Sequence, residues 1–558
     1  MGLYTASITL CVFYLIHSGF ATDLLVDLPY GTIKGREAIS PRNTTFRAFQ
    51  SVPYAAAPVG PLRFQAPEPP TNWTGVKDAT QDTYTCFSVK KDSDRENEDC
   101  LLINIFTPIL DNASKDQLPV MLWIYGGAFR TGSALYENFG PEFLIEKGVV
   151  VVTLNYRLGP FGFLATEDGL ISGNAGLKDQ AQAIDWVHNH ISLFGGNPKR
   201  VVLFGQSAGG ASVGYQLLYK KNEGKIHGAI LQSGSPLSSF SYMGDVSARA
   251  YAFDLASQID GSVDFKNDTG SLIAFLQNNV TGRQIDKAST LTTVTSRPLP
   301  VIEQNVKNAF LYNGSYEYLQ AGDFLKIPIM IGATSEEAIY GTSDMDAFKS
   351  SFEKYEKKHE KFVPTKGFHL KEGISNKLVG EEIYNLYFTN VSAEERLGYF
   401  VRWKSDNNYI KPMIKHADLS TKFTDVYFYI FSYDGIMGNW NITVPGAGLV
   451  GHGEDDRYIW KVKSSSFDNG DLSKFPEADR ITHERIITLW TNFAKYLNPT
   501  PAASDLLQNI SWPKVESGNF QYLDIDTDLV IRKDPKSPYY ATWSRIYDQY
   551  NKRPFTIF

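Results

Sequence analysis

Ser207 has a glycine two residues away on either side, Gly205 and Gly209, within the run VVLFGQSAGGASVGYQLL from Val201 to Leu218. Apolar residues lead into it, and an apolar pattern at helical spacing follows. A chain that passes from strand to helix through so tight a turn needs small neighbours, and it leaves the central hydroxyl exposed. A serine hydroxyl is a weak nucleophile at neutral pH. It requires a base, usually histidine, a carboxylate to orient that base, and backbone N–H groups where negative charge develops. The helix that begins after Ser207 adds partial positive charge at its N-terminus.

In the elbow geometry the acid and then the histidine follow the serine along the chain. Of nine histidines, His227 comes too soon after the elbow helix, which leaves His359, His369, His416, His452 and His483. His359 lies in the mixed-charge run EKYEKKHEK, which reads as a solvated helix face. His483 opens an amphipathic segment near its polar side, and His369 and His416 read as surface residues. His452 stands in the glycine-rich loop GAGLVGHGEDDRYIW, just after the apolar run DVYFYIFSY. Loops after strands carry catalytic groups in α/β architectures, so His452 is the candidate base. IGATSEEAIYG offers two acids, Glu336 and Glu337, between which the local pattern does not choose. For the oxyanion, Ala208 supplies the N–H behind the nucleophile, and WIYGGAFRTG supplies those of Gly127 and Ala128.

These groups need rigid supports. LPVMLWIYG reads as a strand ending at Tyr125, VVVVTLNYR as one from Val149, and VVLFG as a third. KIPIMIGAT and DVYFYIFSY add two more, around Ile329 and Phe428. AGLKDQAQAIDWVHNHI and THERIITLWTNFAKYLNPTP carry apolar residues at helical spacing, the second stopped by Asn498-Pro499. Continuous apolar strands with helical crossovers predict an α/β fold, a mostly parallel central sheet flanked by helices. The stretch from 245 to 325 is more helical and polar, as suits a helical cap.

With 558 residues, 13% of them aromatic, the chain can bury an extensive core, which excludes global disorder. Its net charge of −7 argues against nucleic acid or an anionic membrane surface as the main partner. No cluster of His, Cys and carboxylates shows ligand spacing, so no metal and no other cofactor is implied. Residues 1–21 read as a signal peptide: an apolar stretch from Ile8 to Ile16, then Ser18, Gly19 and Ala21, with cleavage after Ala21. The stretch is too short for a membrane span, so the expectation is a secreted protein without a membrane anchor. Sequons at Asn43, Asn72, Asn112, Asn267, Asn279, Asn313, Asn390, Asn441 and Asn509 are candidate glycosylation sites. Cys11 would leave with the signal, and an oxidising compartment favours pairing the remaining two cysteines, Cys86 and Cys100.

The chain resembles the type-B carboxylesterase family, which includes the cholinesterases and many secreted insect esterases. The landmarks are SVPYAAAPVGPLRF, ENEDCLLINIFTP, LWIYGGAF, LNYRLGPFGFL, GNAGLKDQ, the Ser207 elbow, ILQSGSP, TSEEA, GHGEDD and LWTNFAKYLNPTP, spread over nearly the whole mature chain. The resemblance implies an α/β-hydrolase fold over residues 22–558 and a Ser207–Glu337–His452 triad. It also implies a small-molecule ester as substrate, hydrolysed through an acyl-enzyme. Glu337 is preferred to Glu336 because the family's acid precedes a glycine, here replaced by Ala338. Cys86 and Cys100 match the family's first disulfide, and Ser233 resembles a support near the triad acid.

Cholinesterase-like members carry a tryptophan between those cysteines to hold a quaternary ammonium. CFSVKKDSDRENEDC has none, and Lys90 and Lys91 would repel a cation. Gln206 also replaces the cholinesterase glutamate beside the nucleophile, so a choline ester is disfavoured. GQSAG, Arg63-Phe64 and Asp179-Gln180 resemble juvenile hormone esterases, although Leu449 stands where those carry a glycine. Adhesion proteins on the same fold lose the serine or the histidine, and this chain keeps both.

Overall fold

The apolar runs build one sheet. The computed structural model describes residues 24–89, 93–108, 117–244, 246–294, 297–304, 309–438, 442–464 and 467–558. The expected signal peptide with Cys11, the pair Lys90 and Lys91, and the sequons at Asn112 and Asn441 lie outside these residues.

Seven neighbouring strands run parallel, in the order Val150–Leu154, Leu118–Ile124, Gly196–Gln206, Gly228–Gln232, Ile329–Thr334, Val426–Phe431 and Gln521–Ile525. Antiparallel strands extend one edge through Leu102–Thr107, Thr45–Pro53, Gly31–Ile39 and Leu24–Leu28. Leu529–Lys533 closes the other edge. Leu122, Val152, Leu203, Ile230, Ile331 and Phe428 have no accessible surface. Strands covered on both faces must be apolar at successive positions, which is why they read as unbroken runs rather than alternating ones.

Helices follow the strands as crossovers, among them Ala175–His190 and Ala208–Leu218. Between 245 and 325 lie the helices Ala248–Ile259, Thr269–Asn278, Gly282–Ser289 and Ser315–Ala321, the first three capped by Ser247, Asp268 and Thr281 side chains. The disulfide Cys86–Cys100 closes a short loop nearby. Arg63 joins that loop to the cap, pairing with Glu98 and donating to the carbonyls of Leu276 and Val280. No helix of the described residues is long and apolar enough to cross a membrane.

Two histidines differ from their sequence reading. The helix Glu477–Tyr496 begins ahead of Thr482, so His483 sits inside it, with its ring 4.5 Å from Phe143 and its Nδ1 2.9 Å from the Tyr458 carbonyl. His416 is fully buried in Lys411–Ser420, its Nδ1 2.9 Å from Ser235 Oγ. A lone polar residue in a helical pattern does not reveal which face it takes.

One helix is irregular. Arg396–Ser405 passes through a π-turn, Asp406–Ile410, into Lys411–Ser420. Pro412 accounts for it: proline has no N–H to offer the Asn408 carbonyl, and its ring crowds that carbonyl, so the register slips by a residue. The slip falls beside the site described next.

Candidate active site

Ser207 joins the strand Gly196–Gln206 to the helix Ala208–Leu218 with φ 60° and ψ −125°, a conformation that a residue with a side chain adopts only under constraint. The constraint is visible. Ser207 N–H donates to the Gln232 carbonyl at 2.8 Å, and the Ser207 carbonyl accepts from Ala211 N–H at 2.9 Å. A Cβ on Gly205 would stand 2.6 Å from the Ile124 carbonyl oxygen, and one on Gly209 would overlap the same oxygen. Both glycines are therefore required for the elbow to pack against the neighbouring strand.

The loop after that neighbouring strand lies against the elbow: a Cβ on Gly126 would come within 2.9 Å of Ser207 Cβ. Its next residues have positive φ, 113° at Gly127 and 55° at Ala128, and the Gly127 carbonyl accepts from both Arg130 and Thr131 N–H at 3.0 Å. The N–H groups of Gly127 and Ala128 have no acceptor among the described residues. Ala208 N–H, first in its helix, has none either. Free N–H groups next to a serine hydroxyl are suited to an anionic oxygen.

The acid turn and the histidine loop are joined twice through the main chain. Glu336 N–H donates to the Val450 carbonyl at 2.9 Å, and His452 N–H to the Glu337 carbonyl at 3.2 Å. Glu337, fully buried, places Oε2 2.5 Å from His452 Nδ1, while its Oε1 accepts from Thr334 N–H at 2.9 Å. Glu336 points elsewhere, 3.6 Å from Arg402 Nε and 3.9 Å from Lys536 Nζ. Ser233 is buried, and its hydroxyl has no hydrogen-bond partner among the described residues.

His452 Nε2 lies 3.1 Å from the side-chain nitrogen of Gln206. With Nδ1–H directed at Glu337, Nε2 carries the lone pair and accepts from the Gln206 amide. Ser207 Oγ makes no hydrogen bond among the described residues. Bonds of this kind tighten when substrate arrives.

Behind the histidine is a buried acidic group. Asp455 Oδ2 accepts from Gln232 Nε2 at 2.9 Å and Tyr429 OH at 3.1 Å, and burial pushes its carboxyl up to about 6. Burial, then the charge of Asp455, raises Asp456 as well. Glu454 accepts from Gly451 N–H at 2.5 Å, yet burial still pushes it up to about 8. On the ring's flanks are Tyr409, from the π-turn, and Tyr340, from the turn after Glu337, with centroids 4.6 and 5.9 Å from the imidazole. Sequence reading missed both tyrosines; Pro412 inside a helical pattern was the one local sign. A cavity of about 370 Å³ opens beside Gln206 and His452, walled by Tyr125, Asn138, Phe139, Arg457 and Trp460. Among the described residues no group of His, Cys, Asp and Glu is arranged to hold a metal ion.

Comparison with known proteins sets this geometry in context. A family model described as the carboxylesterase family matches residues 22–543. Juvenile hormone esterase of Tribolium castaneum is 30% identical over 520 residues, 88% of this chain and 85% of that protein. Cocaine esterase of Homo sapiens is 29% identical over 542 residues, 91% of this chain and 88% of that protein. The crystal structure of juvenile hormone esterase from Manduca sexta, with OTFP covalently attached, is similar with a TM-score of 0.80. Its sequence identity is 27%, and the match covers 94% of this chain and 100% of that one.

Proposed function

Because this chain belongs to the carboxylesterase family and is a carboxylic ester hydrolase, we propose that its catalysis proceeds through an acyl-enzyme on Ser207, with His452 as base and Glu337 as its orienting acid. The observation that carries the reading is the 2.5 Å contact between Glu337 Oε2 and His452 Nδ1, on a loop that also reaches the residue preceding Ser207.

The Gln206 amide first yields His452 Nε2 to the serine hydroxyl. Ser207 Oγ then attacks the ester carbonyl as Nε2 takes its proton. Negative charge on the former carbonyl oxygen is met by the N–H groups of Gly127, Ala128 and Ala208. As the tetrahedral intermediate collapses, the imidazolium returns the proton to the departing alcohol. Water, deprotonated by His452, then attacks the acyl-enzyme carbonyl. As this second tetrahedral intermediate collapses, the imidazolium returns the proton to Ser207 Oγ, releasing the acid and restoring the free serine and neutral histidine.

The mature enzyme spans residues 22–558 as one hydrolase domain, secreted after removal of residues 1–21 and glycosylated at a subset of its sequons. The run GQSAG and the Tribolium castaneum relative favour, as a second reading of specificity, juvenile hormone ester hydrolysis. The test is turnover of nitrophenyl or naphthyl esters by protein collected from the medium of expressing cells, with and without an organophosphate. Turnover abolished by the organophosphate is expected. Turnover that survives stoichiometric organophosphate would contradict a serine acyl-enzyme.

A further inference from the structure

We propose that Tyr409 is a positioning residue for ester hydrolysis, its ring face stabilising the imidazolium that His452 becomes on taking a proton. The inference rests on the reading of His452 as the general base.

Tyr409 reaches His452 because the helix is locally unwound. In the π-turn Asp406–Ile410, forced by Pro412, Tyr409 is directed at the imidazole with its centroid 4.6 Å away and its plane inclined 45°. The ring is almost buried, at 8% exposure. Its hydroxyl is 3.1 Å from that of Tyr340, which stands on the turn that carries Glu337. This bond ties together the two tyrosines that neighbour the imidazole. Burial raises the Tyr409 hydroxyl well above its ordinary value, so the ring stays a neutral phenol throughout the working range. Tyr340 adds a second ring at 5.9 Å, also inclined 45°.

An aromatic face within about 6 Å attracts a cation through its quadrupole, and it does so more strongly where water is excluded. The resting imidazole is neutral and gains little from this. Above the acid limb of the pH profile the imidazolium forms only as the reaction proceeds, so there the attraction acts on the transition state and not on substrate binding.

Other titratable groups lie near the same ring. Glu337 meets Nδ1, while Asp455, Asp456 and Glu454 lie behind it on its own loop, followed by Arg457; Gln206 at Nε2 is neutral. The tyrosine also desolvates the imidazole, which opposes charging. The two effects are separable by substitution. Leucine keeps the apolar bulk and loses the π-face; phenylalanine keeps both and loses only the hydroxyl.

The experiment is a set of pH–rate profiles with a nitrophenyl ester for wild type, Tyr409→Phe, Tyr409→Leu, Tyr340→Leu and His452→Gln. Tyr409→Leu is expected to move the acid limb of kcat/KM down by about half to one pH unit and to lower kcat roughly three- to tenfold, with KM within about twofold. Tyr409→Phe keeps the wild-type limb, and Tyr340→Leu moves it the same way by less. An unmoved limb in Tyr409→Leu, or an equal shift in Tyr409→Phe, overturns the proposal. Should Tyr409→Leu not fold, an unmoved limb in Tyr340→Leu overturns it. Wild-type turnover by His452→Gln would instead overturn the assignment of the base.

Discussion

Glu337 and His452 are joined twice, by a side-chain contact of 2.5 Å and by a main-chain hydrogen bond of 3.2 Å from His452 N–H to the Glu337 carbonyl. The main-chain bond fixes the separation of the two loops, so the imidazole does not depend on the carboxylate alone for its place. Glu336, its neighbour, is turned toward Arg402 and Lys536.

Glu337→Gln should therefore fold normally and lose about 10⁴-fold in turnover, because an amide cannot stabilise the imidazolium. Glu336→Gln should stay within about tenfold of wild type. Both variants are assayed with one activated ester. The reverse pattern would assign the acid to Glu336.

Gln206→Glu would put a carboxylate where an amide now sits 3.1 Å from His452 Nε2. A negative charge there favours the protonated ring, which is inactive as a base. The acid limb of kcat/KM should move up by about one pH unit, and turnover below neutrality should fall. A limb that stays or moves down would show that the side chain at 206 leaves the imidazole during turnover.

How much of this was legible in the sequence follows from physics. Strands such as Leu118–Ile124 and Val426–Phe431 are sealed on both faces, and that demand leaves unbroken apolar runs. The elbow was legible because Gly205 and Gly209 have no room for a Cβ. The local pattern did not show which of Glu336 and Glu337 faces the ring, because two adjacent carboxylates directed apart look alike; the preference for Glu337 came from the family resemblance alone. His416 read as a surface residue and His483 as the polar start of an amphipathic segment, because burial of a lone polar group depends on partners distant in the chain. Pro412 marks a break in the helix beside Tyr409, but not what the tyrosine faces, because its target is supplied by a loop more than forty residues later.

Glu454 predicts a pH-dependent stability. Burial pushes its carboxyl from 4.5 up to about 8 in the folded protein. Below the ordinary value both states hold the proton and nothing is lost. As pH rises through that value the unfolded chain ionises first, so stability falls until the folded group also ionises near 8. Glu454→Gln should match wild type in thermal unfolding at the acid end and exceed it increasingly toward the alkaline end. Equal midpoints throughout would show that the carboxyl ionises freely in place.

Removal of the disulfide by Cys86→Ser with Cys100→Ser shortens no contact in the catalytic group. Its loop spans a sequence separation of 14, so the cost by chain entropy is roughly 3 kcal/mol at most. Urea unfolding of the pair against wild type measures it. A stability equal to wild type would show that the crosslink constrains the unfolded chain little.

The account depends most on Ser207 as the nucleophile. The direct measurement is mass mapping after reaction with an organophosphate, alongside turnover by Ser207→Ala. The account predicts one adduct, on the peptide containing Ser207, and a loss of about 10⁴-fold or more in the alanine variant, which remains folded. An adduct on another residue, or near-normal turnover by Ser207→Ala, would contradict it.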